Sequence, residues 1–541
     1  MKQVKSLSVL AASVALALAG ASGVATAAKV PAGVQLDAKQ ELIRNNGSEV
    51  ESLDISQVES YPAISVTSDL YEGLTRRDNN SKILPGVAES WKQTSPTTWV
   101  FHLRKDAKWS NGDALTAQDF VFSWQRTADP KTATKYGIFF EFLKNGKDVL
   151  AGKKPVSALG VKAVDAHTLE VTTDVPTAFL PDLLTNPQMA PLHKASYEKF
   201  GKDYTKPGKL VSNGAYTLSD WVVNNRLVLV KNANYWDAKD TKITKVTYLP
   251  VEDEATELKI YRAGEADTID RLPAGTFQQM KAQLPKEMKP NKILGLYYYG
   301  LNCNDPVLKD KRVRQALSMV IDRDVLVNKV MGNGEAQAYS LIVAGTAGAS
   351  VTGYDWQKLP MAKRVEEAKK LLAAAGYGPN KPLHLKFSYN TSEVHKKVGL
   401  FVISEWKTKL GIVTGMENQE FKVFLKTRHD GNYQVARNGW SVDYNDANSF
   451  LDLVRCGSDQ NDSKYCNKAV DAEIAKGNLT VDAAKRKALL TSATKLAMED
   501  YPIIPLFQYV QPRMTKTWVG GWTTTNPMDI YKTQELYIVK H

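Results

Sequence analysis

Trp99–Arg126, WVFHLRKDAKWSNGDALTAQDFVFSWQR, writes a strand, a turn and a capped helix in consecutive residues. Val100, Phe101 and Leu103 continue an extended apolar pattern, and Trp109–Asp113, WSNGD, supplies the turn residues. Thr116 then precedes a helix whose Phe120, Val121 and Trp124 fall at i, i+1 and i+4. Asp119 stands three residues after Thr116, a variant of the capping box in which an acidic side chain reaches back to the N-cap backbone. A strand delivered directly into a helix is the unit of sheets covered by helices, so the block predicts an α/β protein.

The chain on either side keeps that alternation. Leu227–Val230 and Val246–Pro250 read as strands, with Asn234–Asp237 as a turn between them. Arg312–Met319 and Ile321–Val330 read as helices interrupted near Asp322–Asp324. Val365–Ala375, VEEAKKLLAAA, is the clearest helix: Glu366 precedes Lys370 by one turn and Gly376 supplies the stop. Leu383–Tyr389 alternates with period two, the mark of a half-buried strand.

Residues 1–27 carry the pattern of a secretory leader: Lys2 and Lys5, an apolar run from Leu7 to Leu18, and Ala25-Thr26-Ala27 as a cleavage site. The run is shorter than the roughly 20 residues a membrane span needs. No cysteine follows the cleavage site, so a lipid anchor is not expected. The 541 residues carry a formal net charge of +12, two units of which belong to the leader. Both signs are interspersed and no run of five Lys or Arg occurs, which describes a solvated basic surface and no nucleic-acid partner. Cys456 and Cys466 flank the polar stretch GSDQNDSKY, and export places them in an oxidising compartment, so a disulfide is favoured over two free thiols. A metal site is weaker still, because no CxxC or paired His accompanies them, and Cys303 remains a lone thiol.

The catalytic motifs of exported hydrolases are missing. The seven histidines contain no HExxH pair and no G-x-S-x-G elbow occurs. Gly146–Lys154, GKDVLAGKK, has one residue too many for a P-loop and a lysine where Ser or Thr belongs. No cofactor is implied, and a site assembled in space by an exported peptidase or amidase stands as the alternative of another class. The positive signal is Tyr433–Asn445, YQVARNGWSVDYN: alternation up to Arg437, then Gly439 interrupting the strand where another backbone approaches, then Asp443. A guanidinium and a carboxylate so placed suit the two ends of a zwitterion, and a structural ion pair or turn cap is the alternative.

Leu70–Leu74 (LYEGL), Pro85–Trp91 (PGVAESW), Ser212–Tyr216 (SNGAY), Arg312–Leu317 (RVRQAL) and Tyr537–His541 (YIVKH), together with the opening block, closely resemble the oligopeptide-binding proteins that serve ABC importers. The resemblance implies a periplasmic-binding-protein clam-shell (type II, cluster C) in three domains. The first spans 28–71, 196–294 and 511–541, the second 72–195 and the third 295–510. It also implies a monomer in the periplasm without catalytic activity. Such a protein hands an oligopeptide ligand to an inner-membrane ABC permease with its ATPase subunits. A specialist for cell-wall peptides is the alternative within the family.

Carried onto this sequence, the family's aspartate for the ligand α-amino group is Asp443. Gly439, Trp440 and Ser441 match the stretch that lends backbone groups to the peptide, opposite Glu59, Ser60 and Tyr61. Arg437, Arg428 and His395 match positions for the C-terminal carboxylate of peptides of different length, while Tyr136, Tyr298 and Tyr509 match aromatic residues lining the cavity. Four departures bear on selectivity. Phe421 stands where Trp is usual, Gly300 replaces an acid, Met331 replaces a lysine, and Asp446-Ala447 replaces Glu-Pro.

Overall fold

The computed structural model describes residues 28–541 except 274, 420 and 459, and gives the backbone but not the side chains of Phe421 and Lys422. The expected leader, residues 1–27, lies outside the described residues. None of the described helices is long and apolar enough to cross a membrane.

The opening block forms as read. Thr98–Leu103 pairs with Ala88–Ser95 on one side and Thr168–Thr172 on the other, inside a four-stranded antiparallel sheet completed by Val161–Asp165. The helix Ala117–Ala128 follows, and the Asp119 carboxylate accepts the Thr116 backbone N–H at 2.8 Å. Trp109 and Trp124 are fully buried. Trp124 donates its indole N–H to the Met189 carbonyl at 2.9 Å, so this large side chain is buried without an orphaned donor.

A second, mixed sheet spans most of the molecule. Its strand order is Val413–Gln419, His384–Asn390, Val435–Ser441, Met288–Leu301, Ile503–Thr515, Thr268–Ile269, Glu41–Asn45, Lys245–Leu249, Arg226–Lys231 and Tyr216–Val222, with Ala336–Gln337 added to Ile503–Thr515. The two long central strands, Met288–Leu301 and Ile503–Thr515, join the two ends of the sheet. Their antiparallel register breaks twice, between Lys292 and Leu296 and between Tyr297 and Tyr298. Pro505, which has no N–H to give a ladder, sits at the second break. At the first, Gln508 donates its side-chain amide to the Ile293 carbonyl at 2.9 Å, satisfying a group that the ladder leaves free.

Two large apolar cores occur among the described residues, and the second includes side chains of this strand pair. One gathers Leu42 to Tyr248 with Leu536 and Ile538; the other gathers Leu294 to Phe507. The four-stranded sheet shares the first core with the Glu41–Asn45 end of the large sheet. Cys456 and Cys466 are disulfide-bonded and Cys303 is free.

Two local readings need correction. Ile321–Val330 is not one α-helix: a single turn, Arg323–Val325, widens into a π-type turn, Leu326–Met331, ending at Gly332 with φ +78°. Asp322 caps this turn by accepting the N–H groups of Asp324 and Val325, which explains the break. Gly439 does not interrupt its strand, which runs unbroken through Val435–Ser441.

Asp446, one of the departures, has a structural role. It caps the helix Ala447–Leu451 and grips Arg486 through two hydrogen bonds of 2.7 and 2.8 Å, both residues being buried. Removing one partner strands the other charge, so Arg486→Ala is expected to cost about 3–5 kcal/mol in a urea unfolding titration. A loss below about 1 kcal/mol, the range of exposed pairs, would contradict this reading.

Candidate functional site

The antiparallel register between Met288–Leu301 and Val435–Ser441 decides which side chains share a face. Tyr299 pairs with Arg437, Tyr297 with Gly439 and Gly295 with Ser441. Because residues directly opposite project to the same side, these six form one face, and Tyr298 with Asn438 and Leu296 with Trp440 form the other. Tyr509, from Ile503–Thr515, leans over the first face: its hydroxyl accepts from Arg437 Nη2 at 3.0 Å.

Gly439 is what permits that approach. A Cβ built there would stand 2.6 Å from the Tyr509 hydroxyl and 3.2 Å from Arg437 Nη2. The close neighbour is therefore a side chain and not the other backbone expected from sequence. Around it lies an open cavity of about 290 Å³ lined by Ile293, Arg437, Gly439, Trp440, Ser441, Tyr509, Val510 and Gln511. The Trp440 side chain projects to the other face, where its indole N–H donates to Ser449 Oγ at 3.1 Å.

Arg437 is held by neutral groups. Besides Tyr509 it has Asn390 Oδ1 at 3.5 Å and the Tyr297 ring 4.9 Å below its guanidinium, and its buried Nε has no acceptor. No carboxylate lies within ion-pair distance of it among the described residues. Contrast Arg513, whose guanidinium is clamped by Asp529 and Asp270. A partly buried guanidinium with no anion is costly unless one arrives.

His395 lies on the same side, in the first turn of the helix Glu393–Leu410, with Nδ1 3.3 Å from the Tyr297 hydroxyl. Burial, then the Arg437 charge, push its pKa down to about 3, so it is neutral at neutral pH and offers a hydrogen bond, not a charge. An unfolded-state histidine takes its proton near 6.5, well before His395 does, so stability is lost as pH falls from 6.5 towards 3. His395→Gln is expected to flatten that slope in urea titrations across this window, and an unchanged slope would contradict the assignment.

At the far end of the strand the chain turns through Asp443. Its carboxylate accepts one hydrogen bond, from the Tyr136 hydroxyl at 3.1 Å, and has no cationic partner among the described residues. Burial raises its pKa above the usual carboxylate range, the Tyr136 bond opposing only in part. The turn itself is anchored: Asn186 donates to the Asp443 carbonyl at 3.3 Å and Tyr444 stacks on Phe179 with ring centroids 4.4 Å apart.

The other residues singled out from sequence lie elsewhere. Tyr298 does not line the cavity; it is buried in the second core, on the opposite face of the sheet. Arg428 also belongs there, paired with Asp462 at 3.0 Å and donating to Asn438 Oδ1 at 2.7 Å, so its charge is already balanced. Asp462 comes from the disulfide-closed loop; Cys456 and Cys466 lie near Asp471 of the following helix, but cannot bind metal as thiolates while the sulfurs are bonded to each other. Ser60 caps the helix Tyr61–Leu70, and the backbone N–H groups of Glu59 and Ser60 are taken by Glu51 at 2.7 and 2.8 Å. Tyr61 lines a second cavity, of about 420 Å³, with Asp270, Arg271 and Arg513; Gln511 borders both cavities. Phe421 opens the helix Phe421–His429, and its side chain lies outside the description. Tyr297, Asn390 and Gln511 were not anticipated from sequence.

Residues 82–462 match the family described as bacterial extracellular solute-binding proteins, family 5 Middle. The periplasmic oligopeptide-binding protein OppA of Escherichia coli K12 is 46% identical over 544 aligned residues, covering 100% of both chains. Among solved structures, OppA of Burkholderia pseudomallei is 49% identical with a TM-score of 0.78, covering 93% of this chain and 100% of its own. The unliganded open form of the periplasmic murein tripeptide-binding protein MppA gives a TM-score of 0.87 at 40% identity, covering 94% of this chain and 99% of its own. The architecture is that of the type II periplasmic-binding-protein clam-shell. A match across most of the chain, in sequence and in fold, settles its kinship: it belongs to the bacterial extracellular solute-binding proteins of family 5.

Proposed function

We propose that this chain is the periplasmic substrate-binding component of an ABC peptide importer, taking oligopeptides in extended form between two lobes. One observation carries the reading: at opposite ends of one strand and turn stand Arg437, a guanidinium without an anion, and Asp443, a buried carboxylate without a cation, among the described residues. A zwitterion supplies both missing charges at once. An extended peptide rises about 3.3 Å per residue, so the interval from Arg437 to Asp443 suits a ligand of a few residues. Gly439 and Ser441 lie between, where main-chain pairing reads the peptide backbone and not its side chains.

In this reading the two cavities meeting at Gln511 are the two halves of one site, brought together as the long strand pair bends at its register breaks. The segments 28–71, 196–294 and 511–541, then 72–195, then 295–510 are the three domains, with the crossings between the first and the third falling in those strands. The protein acts as a monomer without catalysis; the permease's ATPases supply the energy. The family, the greater identity to an oligopeptide-binding protein and the fold of periplasmic binding proteins support the reading.

Incubating the mature protein with a tripeptide mixture and recovering intact peptides in a one-to-one complex by native mass spectrometry is the expected result; cleaved products would point to a peptidase instead. Gly439→Ala is a finer test. Its methyl displaces Tyr509 or Arg437, so tripeptide affinity should fall roughly ten-fold or more in calorimetry while thermal stability changes little. An unchanged affinity would separate Gly439 from the site.

A further inference from the structure

Among the described residues, Tyr444 is the one member of 295–510 whose side chain is gathered into the first apolar core. Its ring stacks on Phe179 with centroids 4.4 Å apart and an interplanar angle of 11°, and Phe142 meets it edge-on at 6.1 Å. The residues beside it are held from the same side. Asn186 donates to the Asp443 carbonyl at 3.3 Å and the Tyr136 hydroxyl to the Asp443 carboxylate at 3.1 Å. The Asn445 backbone N–H donates to Asp182 Oδ2 at 2.5 Å, while the other oxygen of that buried carboxylate takes Arg77 Nε at 2.8 Å. Every one of these partners comes from 72–195.

On either side of the turn the chain goes back to different contacts. Val442 donates its N–H at 3.1 Å to the carbonyl of Leu294, a member of the second core, and Asp446 is clamped to Arg486. The Asn445 side chain turns the same way, accepting the Ala347 N–H at 2.8 Å. Residues 443–445 are therefore a short piece of one segment plugged into the core of another. Withdrawing the plug would expose the stacked faces of Tyr444 and Phe179 to water, which holds it in place. Arg437 is anchored elsewhere: its guanidinium lies over the Tyr297 ring, and Tyr297 and Val435 belong to the second core. The two charged groups stand six positions apart in the chain yet are seated in different cores.

We infer that Tyr444 is a positioning residue for the peptide's ammonium: seated against Phe179 and Phe142, it ties the Asp443 carboxylate to the 72–195 segment while Arg437 stays with 295–510. Closure of the lobes then sets the separation of the two charges, so recognition of both peptide ends is coupled to the movement. The inference rests on the peptide-binding reading and gives Tyr444 and Asn186 a part in it.

The test is calorimetric titration of trialanine, N-acetyl-trialanine and trialanine amide into the full mature protein and its variants. Tyr444→Phe keeps the stack and should bind as the native protein does. Tyr444→Ala should weaken trialanine roughly ten-fold or more and leave N-acetyl-trialanine nearly unchanged, so the preference for a free amine shrinks. The preference for a free acid, read by Arg437, should persist. Tyr444→Ala added to Asp443→Asn should cost no more than Asp443→Asn alone, because the ring acts through that carboxylate. Asn186→Ala, which removes one hydrogen bond to the same turn, should shrink the free-amine preference roughly three-fold, and it carries the test if Tyr444→Ala does not fold. Equal weakening of all three ligands, an additive loss in the double variant, or an unchanged free-amine preference in Tyr444→Ala and Asn186→Ala would overturn the inference and leave the peptide-binding reading in place. Native protein that binds no tripeptide would overturn both.

Discussion

Asp443→Asn is expected to weaken binding of a free-amine tripeptide by roughly 3–5 kcal/mol, the cost of leaving one member of a buried charge pair alone. The same substitution should leave the ligand-free protein as stable as before, or more stable. The sign follows from burial. A carboxyl whose folded pKa lies above its unfolded value destabilises the fold while it is ionised, and that penalty fades as pH falls through the folded pKa. Asparagine removes the penalty and keeps the shape. Binding has the opposite pH dependence: an ammonium ligand needs the ionised form, so affinity should drop as pH falls through the raised pKa of Asp443. Thermal melts with and without tripeptide show both effects, the apo midpoint steady or higher and the ligand-induced rise lost. A variant that melts lower without ligand and still responds to it would make Asp443 a structural group.

Arg437→Met is the second large effect. Among the described residues the native guanidinium meets Tyr509, Asn390 and the Tyr297 ring and no carboxylate, so a carboxylate arriving there gains a bidentate partner. Losing it should cost about 2–5 kcal/mol for a free-acid tripeptide and little for its C-terminal amide. Arg437→Lys should recover only part of the loss, because an ammonium cannot reproduce the planar fork. Arg428→Met, by contrast, strands Asp462 on the far face of the sheet, so its effect should fall on stability more than on tripeptide affinity. Equal losses of affinity from both arginines would contradict the division between the two faces.

That division explains what was legible in the sequence. The strand–turn–helix block was readable because every cue in it is local: Thr116 and Asp119 are three residues apart and Trp124 lies one turn from Phe120. The disulfide was readable for the same reason, its cysteines enclosing a short polar loop. Arg437 and Asp443 stand in one short segment, so their shared purpose could be suggested before any fold was known. Tyr297 could not be chosen over Tyr298, because the choice depends on a register that pairs position 297 with position 439 across the sheet. Arg428, in the helix Phe421–His429, reaches Asn438 on the face opposite Arg437, although the two arginines lie only nine positions apart in the chain. Gly439 signalled a close approach correctly, yet the approaching atom, the Tyr509 hydroxyl, comes from the other long strand. Asp446 departs from the family pattern, and the structural partner that gives it a role, Arg486, lies forty positions away in the chain.

Calorimetric titration of the native protein with trialanine, N-acetyl-trialanine and trialanine amide asks whether this site reads both ends of a peptide. Tight binding of the first is expected, with a roughly hundred-fold or greater loss for each of the other two, the magnitude of one buried charge pair apiece. Equal affinity for all three forms would contradict that expectation, because neither Arg437 nor Asp443 could then be meeting a terminus.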